Sequence, residues 1–76
     1  MTRAERYDHT ARIARAADAD AETTRQAYYD ADFAGDERGA ELARSACKAA
    51  IWWRDRCHAD KRVAHRAMCT AAKVQS

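Results

Sequence analysis

Proline is absent from this 76-residue chain, and glycine occurs only twice, at Gly35 and Gly39. With no pyrrolidine ring to break a helix, the left-handed backbone that glycine tolerates is the readiest way for one to end. Large apolar side chains are scarce as well. Leucine, isoleucine, valine and phenylalanine together number six: Ile13, Phe33, Leu42, Ile51, Val63 and Val74. That is too few to fill a core of ordinary composition. No stretch approaches the roughly 20 apolar residues that a membrane helix needs. The opening Met1-Thr2-Arg3-Ala4-Glu5-Arg6 lacks the apolar segment that directs export, so a cytoplasmic location is expected. Neither charge sign dominates: 14 basic residues face 12 acidic ones, a net of +2. A disordered chain would ordinarily carry a larger imbalance.

Alanine fills the space these absences leave, at 20 of the 76 positions. It is the strongest helix former, and the chain around the glycines is otherwise rich in residues that favour helix. Thr2 and Glu5 have the spacing of a capping box, in which a hydroxyl meets the N3 amide and a carboxylate reaches back to the cap. The expected fold class is all-α, a two-helix antiparallel hairpin, Ala-rich and coiled-coil-like. It forms one domain over residues 1–76, with a helix over about 3–34, a turn at 35–39 and a helix over about 40–73. Gly35 suits the left-handed C-terminal position of the first helix. Asp36 is a good N-cap for the second, with Gly39 in ordinary helical angles just beyond it. Alanine at Gly39 should then be neutral or stabilising by up to about 1 kcal/mol. Thr23-Thr24 is the one place where the first helix would be expected to kink, giving a three-helix alternative.

Two periodic stripes mark the seam. In the first helix Ala14, Ala17, Ala21, Thr24, Tyr28 and Ala31 recur at steps of three and four, with Tyr7 and Ala11 upstream. In the second, Ala43, Ala46, Ala50, Trp53 and Cys57 are followed by Ala64, Met68 and Ala71. Folding at the turn sets Trp53 against Ala17 and Ala21. A further stripe on the second helix, Ala49, Trp52, Ala59, Val63 and Ala67, has no place in that seam. Adjacent tryptophans point about 100° apart, so one seam cannot bury both. Pairing of two hairpins into a four-helix-bundle homodimer would cover Trp52, and Trp52, Ala49, Ala59 and Val63 are the expected protein interface.

The charge is uneven along the chain. Residues 18–37 hold seven acidic groups against Arg25 alone, a net of −6. A hairpin gathers these toward the turn. Its open end collects Arg3, Arg6, Arg12, Arg15, Lys61, Arg62, Arg66 and Lys73, with His9, His58 and His65. Arg12, Arg54, His58, Arg62 and Arg66 are the candidate contacts to phosphate or to an acidic partner, so nucleic acid is a possible ligand of that end. Asp20, Asp18 and Asp8 are the expected intramolecular partners of Arg54, Arg56 and Arg66.

Chemistry has little to work with. Cys47, Cys57 and Cys69 fall on one predicted helix at least ten residues apart, about 15 Å, beyond disulfide reach. They read as reduced thiols. His58, His65 and Cys69 share a face and are weak metal candidates, without CxxC or HExxH spacing to support a site, and no metal is expected. No phosphate loop, nucleophile–base pair or paired acids can be found, and two helices do not enclose a pocket of roughly 300 Å³. The chain is therefore expected not to be an enzyme and to need no cofactor or small-molecule substrate. Eleven arginines to three lysines, with so much alanine, suit a GC-rich bacterial or phage genome. The functional expectation is a small helical interaction module that associates with itself and binds another protein as a regulator or adaptor. The alternative is a nucleic-acid-binding protein that uses the basic open end.

Overall fold

A computed structural model describes residues 1–75, with side chains described through Ala71. Two helices make up the architecture: α1, Arg3–Phe33, and α2, Glu37–Gln75, folded back on each other as a hairpin. The 39 residues of α2 at about 1.5 Å each account for the longest dimension, 60 Å, of a rod only 16 by 14 Å across. Its radius of gyration is 17.2 Å, against about 11 Å for a compact domain of this length. No described helix is long and apolar enough to cross a membrane.

The capping box predicted at the start of α1 is present in both halves. Glu5 N–H donates to Thr2 Oγ1 at 3.1 Å, and Thr2 N–H donates to Glu5 Oε1 at 3.2 Å. From there α1 runs without a break, so the kink considered at Thr23-Thr24 does not occur. Thr24 Oγ1 lies 3.0 Å from both Asp20 O and Ala21 O, and sharing its proton between these carbonyls satisfies the hydroxyl within the helix. Thr10 does the same with Arg6 O and Tyr7 O.

At the other end, Gly35 adopts φ +75°, the only positive φ among the described residues. Asp36 N–H donates to Ala31 O at 2.9 Å and Gly35 N–H to Asp32 O at 3.1 Å, the paired bonds of a Schellman motif. The turn is shorter than the sequence suggested, because α2 begins at Glu37 rather than near residue 40. The Asp36 carboxylate accepts the Gly39 N–H at 2.9 Å, which draws the intervening residues into the helix. At Gly39 the propensity gain of alanine meets an obstacle, which leaves the neutral end of the expected range. A Cβ there would overlap the capping carboxylate, whose Cγ lies 2.7 Å from its ideal position. At the far end, Gln75 is helical rather than frayed, and Ser76 lies outside the described residues.

The seam of α1 follows Tyr7, Thr10, Ala14, Ala17, Ala21, Thr24, Tyr28 and Ala31, all buried or half-buried. Ala11, expected on this stripe, is half-buried as well, and Thr10 completes the three-and-four repeat beside it. On α2 the half-buried and buried series is Ala43, Cys47, Ala50, Arg54, Cys57, Lys61, Ala64, Met68 and Ala71. Both keep alternating three- and four-residue steps, the period of a left-handed coiled coil. Ala46 and Trp53 are exposed, and Cys47 and Arg54 take the places predicted for them. The reason is size. Alanines on the facing strip let the backbones approach closely, leaving no room for an indole, whereas a flexible arginine stem lies along the groove with its charge in water. Among the described residues the buried ones are Ala14, Ala17, Ala21, Cys57 and Ala64, none larger than cysteine. Burial raises the Cys57 thiol pKa above its ordinary value, because a thiolate there would lose its hydration.

Candidate functional site

The buried centre of the seam is alanine and one cysteine, with Ile13 packed half-buried against it, and most of the large apolar side chains face outward. Phe33 is 96% exposed, Leu42 64%, Trp52 63%, Val63 56% and Trp53 46%. On α2 these residues form a continuous outer surface. Leu42, Ala49 and Val63 fall at seven-residue multiples, Trp52 and Ala59 fill the neighbouring row, and Trp53 flanks them. Of the predicted interface, Ala49, Trp52 and Val63 are exposed and Ala59 is half-buried at the margin. Ala67, predicted on the same stripe, is half-buried, and its carbonyl accepts a 3.5 Å bond from Arg3 Nη1 across the hairpin. Arg56 lies on the stripe with its guanidinium carbon 5.8 Å from the centre of the Trp52 ring. That is cation–π distance, worth about 0.5–1 kcal/mol at an exposed position. Arg56 therefore does not meet Asp18 as expected. Leu42 and Trp53 are the outward residues that sequence reasoning missed. Leu42 carried a signal, standing seven positions before Ala49, while Trp53 had been assigned to the seam.

A second surface forms at the open end. Tyr7, Lys61, Arg62, His65 and Arg66 line an open groove of about 400 Å³. Its volume exceeds the roughly 300 Å³ considered for a ligand site, but the groove is open to solvent rather than enclosed. The Tyr7 and His65 rings meet at 5.5 Å with their planes tilted by 52°, which joins the start of α1 to the last third of α2. Among the described residues, no carboxylate lies within 4 Å of Lys61, Arg62, His65 or Arg66. The expected ion pair between Asp8 and Arg66 is thus absent.

The five predicted anion contacts divide. Arg62 and Arg66 enter the groove together. Arg12 is exposed but does not line it. Arg54 sits two turns away in the seam, paired with Asp55 at 3.3 Å instead of with Asp20. His58 is turned toward α1, its Nε2 2.8 Å from Asp18 Oδ1. The side chain of Lys73 lies outside the described residues. Lys61 and His65, expected at the basic open end but not among the predicted contacts, line the groove, and Tyr7 was not foreseen there; only the register between helices brings Tyr7 to His65.

The weak metal candidates separate in the same way. Cys69 Sγ approaches His65 Nε2 at 3.6 Å, a contact one helical turn apart, while His58 is engaged with Asp18. Among the described residues no group of three or more histidine, cysteine or acidic side chains converges as a metal site would require. All three cysteines are free thiols. Toward the turn, Arg25 and Glu22 form a close exposed pair at 2.6 Å, which raises the already high guanidinium pKa further. Comparison of the chain with protein-family models, curated proteins and solved structures found no match.

Proposed function

We propose that this chain is a small, non-enzymatic helical interaction module that pairs with itself and, so assembled, binds another protein as a regulator or adaptor. One observation carries the reading: among the described residues the hairpin buries nothing larger than cysteine, while Phe33, Leu42, Trp52, Trp53 and Val63 face outward. Burying an apolar side chain of that size is worth about 1.5–3 kcal/mol, so the larger hydrophobic gain available to this molecule lies between copies rather than within one. Tryptophan and arginine, which meet at Trp52 and Arg56, are also among the residues enriched at interface hot spots. Sedimentation velocity at micromolar concentration tests the reading. A dimer that dissociates on Trp52→Ala is expected. A monomer whose fold and melting are indifferent to that substitution overturns it.

The basic groove favours a second reading, binding of nucleic acid. Its support is the convergence of Lys61, Arg62, His65 and Arg66 beside the Tyr7 ring, with no carboxylate within 4 Å of them among the described residues. Phosphate contacts of this kind release counterions and weaken steeply as salt rises. A gel-shift titration with random-sequence DNA and RNA at about 50 mM salt decides it, since absence of a shift there leaves no electrostatic binding to find.

A further inference from the structure

We infer that the self-associated form is an antiparallel pair in which the outer face of α2 packs on its counterpart in a second copy, with the turn of each rod lying against the open end of the other. This rests on the self-association proposed above, and three independent observations give it its geometry. The first is area. The hairpin exposes 5996 Å², whereas a compact monomer of 8.6 kDa would expose about 4,700 Å². Removing the excess of about 1,300 Å² from each copy buries about 2,600 Å² in a pair, within the range of obligate dimers.

The second is the symmetry of the stripe. Leu42 precedes Trp52 by ten residues, and Val63 follows Trp53 by ten. A two-fold axis perpendicular to α2 at the tryptophan pair therefore sets Leu42 of one copy level with Val63 of the other. An isologous interface demands such a self-complementary patch. A parallel pair would instead stack each bulky residue on its own copy.

The third is charge. Residues 16–56, the turn half of the rod, contain nine acidic and six basic groups, a net of −3. The remaining residues, the open half, contain eight basic and three acidic groups, a net of +5. In the antiparallel arrangement Glu41 of one copy comes level with Ala64 of the other, between its Arg62 and Arg66. Asp30, carried on α1 near the same level, faces the same basic end. The pairing thus sets carboxylates beside Arg62 and Arg66, which have none within 4 Å among the described residues. A parallel pair sets acid against acid and base against base, which costs affinity.

The test uses exposed residues of the full chain. Asp30→Lys with Glu41→Lys makes the turn basic, and Arg62→Glu with Arg66→Glu makes the open end acidic. Sedimentation equilibrium at low ionic strength, with circular dichroism confirming the fold of each variant, reads the dimer Kd. The wild type should be dimeric, each double variant alone should weaken the dimer by roughly tenfold or more, and their equimolar mixture should recover near-wild-type affinity as a heterodimer. Double variants that dimerise as tightly as the wild type overturn the antiparallel arrangement while leaving self-association standing. A monomeric wild type removes self-association itself.

Discussion

The turn offers the sharpest quantitative test, because two glycines four residues apart are there for different reasons. Gly35 holds φ +75°, and an added Cβ would meet nothing within 4 Å. Alanine there costs only the left-handed backbone strain, about 1–2 kcal/mol. Gly39 has helical angles, and alanine would gain up to about 1 kcal/mol of propensity. Its Cβ, however, overlaps the Asp36 carboxylate, which must rotate off the Gly39 N–H that it accepts at 2.9 Å. Losing an N-cap costs about 1 kcal/mol, so Gly39→Ala should be close to neutral. The gain should reappear once the cap has been removed. In an Asp36→Ala background, Gly39→Ala should stabilise by about 1 kcal/mol, giving a coupling of about that size between neighbouring positions. For a chain of this length 1 kcal/mol corresponds to roughly 4–8 °C in melting temperature. Thermal unfolding followed by far-ultraviolet circular dichroism measures it, at one protein concentration so that assembly contributes equally throughout. If Gly39→Ala changes the melting temperature equally with and without Asp36, the carboxylate does not occupy the space claimed for it.

Four further outcomes follow from the packing of the two helices. Ala17→Leu adds apolar surface at a position only 1% exposed, yet overpacking should destabilise the hairpin by about 1–3 kcal/mol; a rise in melting temperature would mean that the helices are not closely apposed. Cys57 should be alkylated by iodoacetamide far more slowly than the half-buried Cys47 and Cys69, and comparable rates would show that the seam opens readily. The same burial holds the folded Cys57 thiol above its ordinary pKa of 9.0, so its contribution to stability is complete below that value and is lost as pH climbs through the folded one; melting temperature should fall on that alkaline side, and more weakly in Cys57→Ala. Asp18→Ala removes the 2.8 Å contact with His58, but both side chains are substantially exposed, so a loss well below 1 kcal/mol is expected in urea titrations.

Much of this molecule was legible without coordinates, because its determinants are local. A capping box depends on residues three apart, and Thr2 and Glu5 suffice for it. Gly35 ends α1 because the alternative residues strain at positive φ, and Asp36 caps α2 because its carboxylate reaches an amide three residues on. Uninterrupted helix propensity on either side then leaves a hairpin as the simplest fold. The outward placement of Trp52 and Val63 was readable for a related reason, since their stripe diverges from the alanine seam by geometry alone.

What the sequence left open depends on how closely the helices approach and on which residues meet across them. Steps of three or four fit both Ala50–Trp53–Cys57 and Ala50–Arg54–Cys57, and periodicity gives each the same score. Only the packed pair chooses: two alanine strips close to a separation that excludes an indole and accepts an arginine stem, so Trp53 turns outward and Arg54 takes the seam. The ion pairs moved with that rotation, His58 rather than Arg56 reaching Asp18. The basic groove likewise exists only in the folded hairpin, because Tyr7 and His65 are 58 residues apart in the chain and meet at 5.5 Å through the register between helices. Local rules determined the two helices and the turn; close packing between them decided which faces were left for a partner.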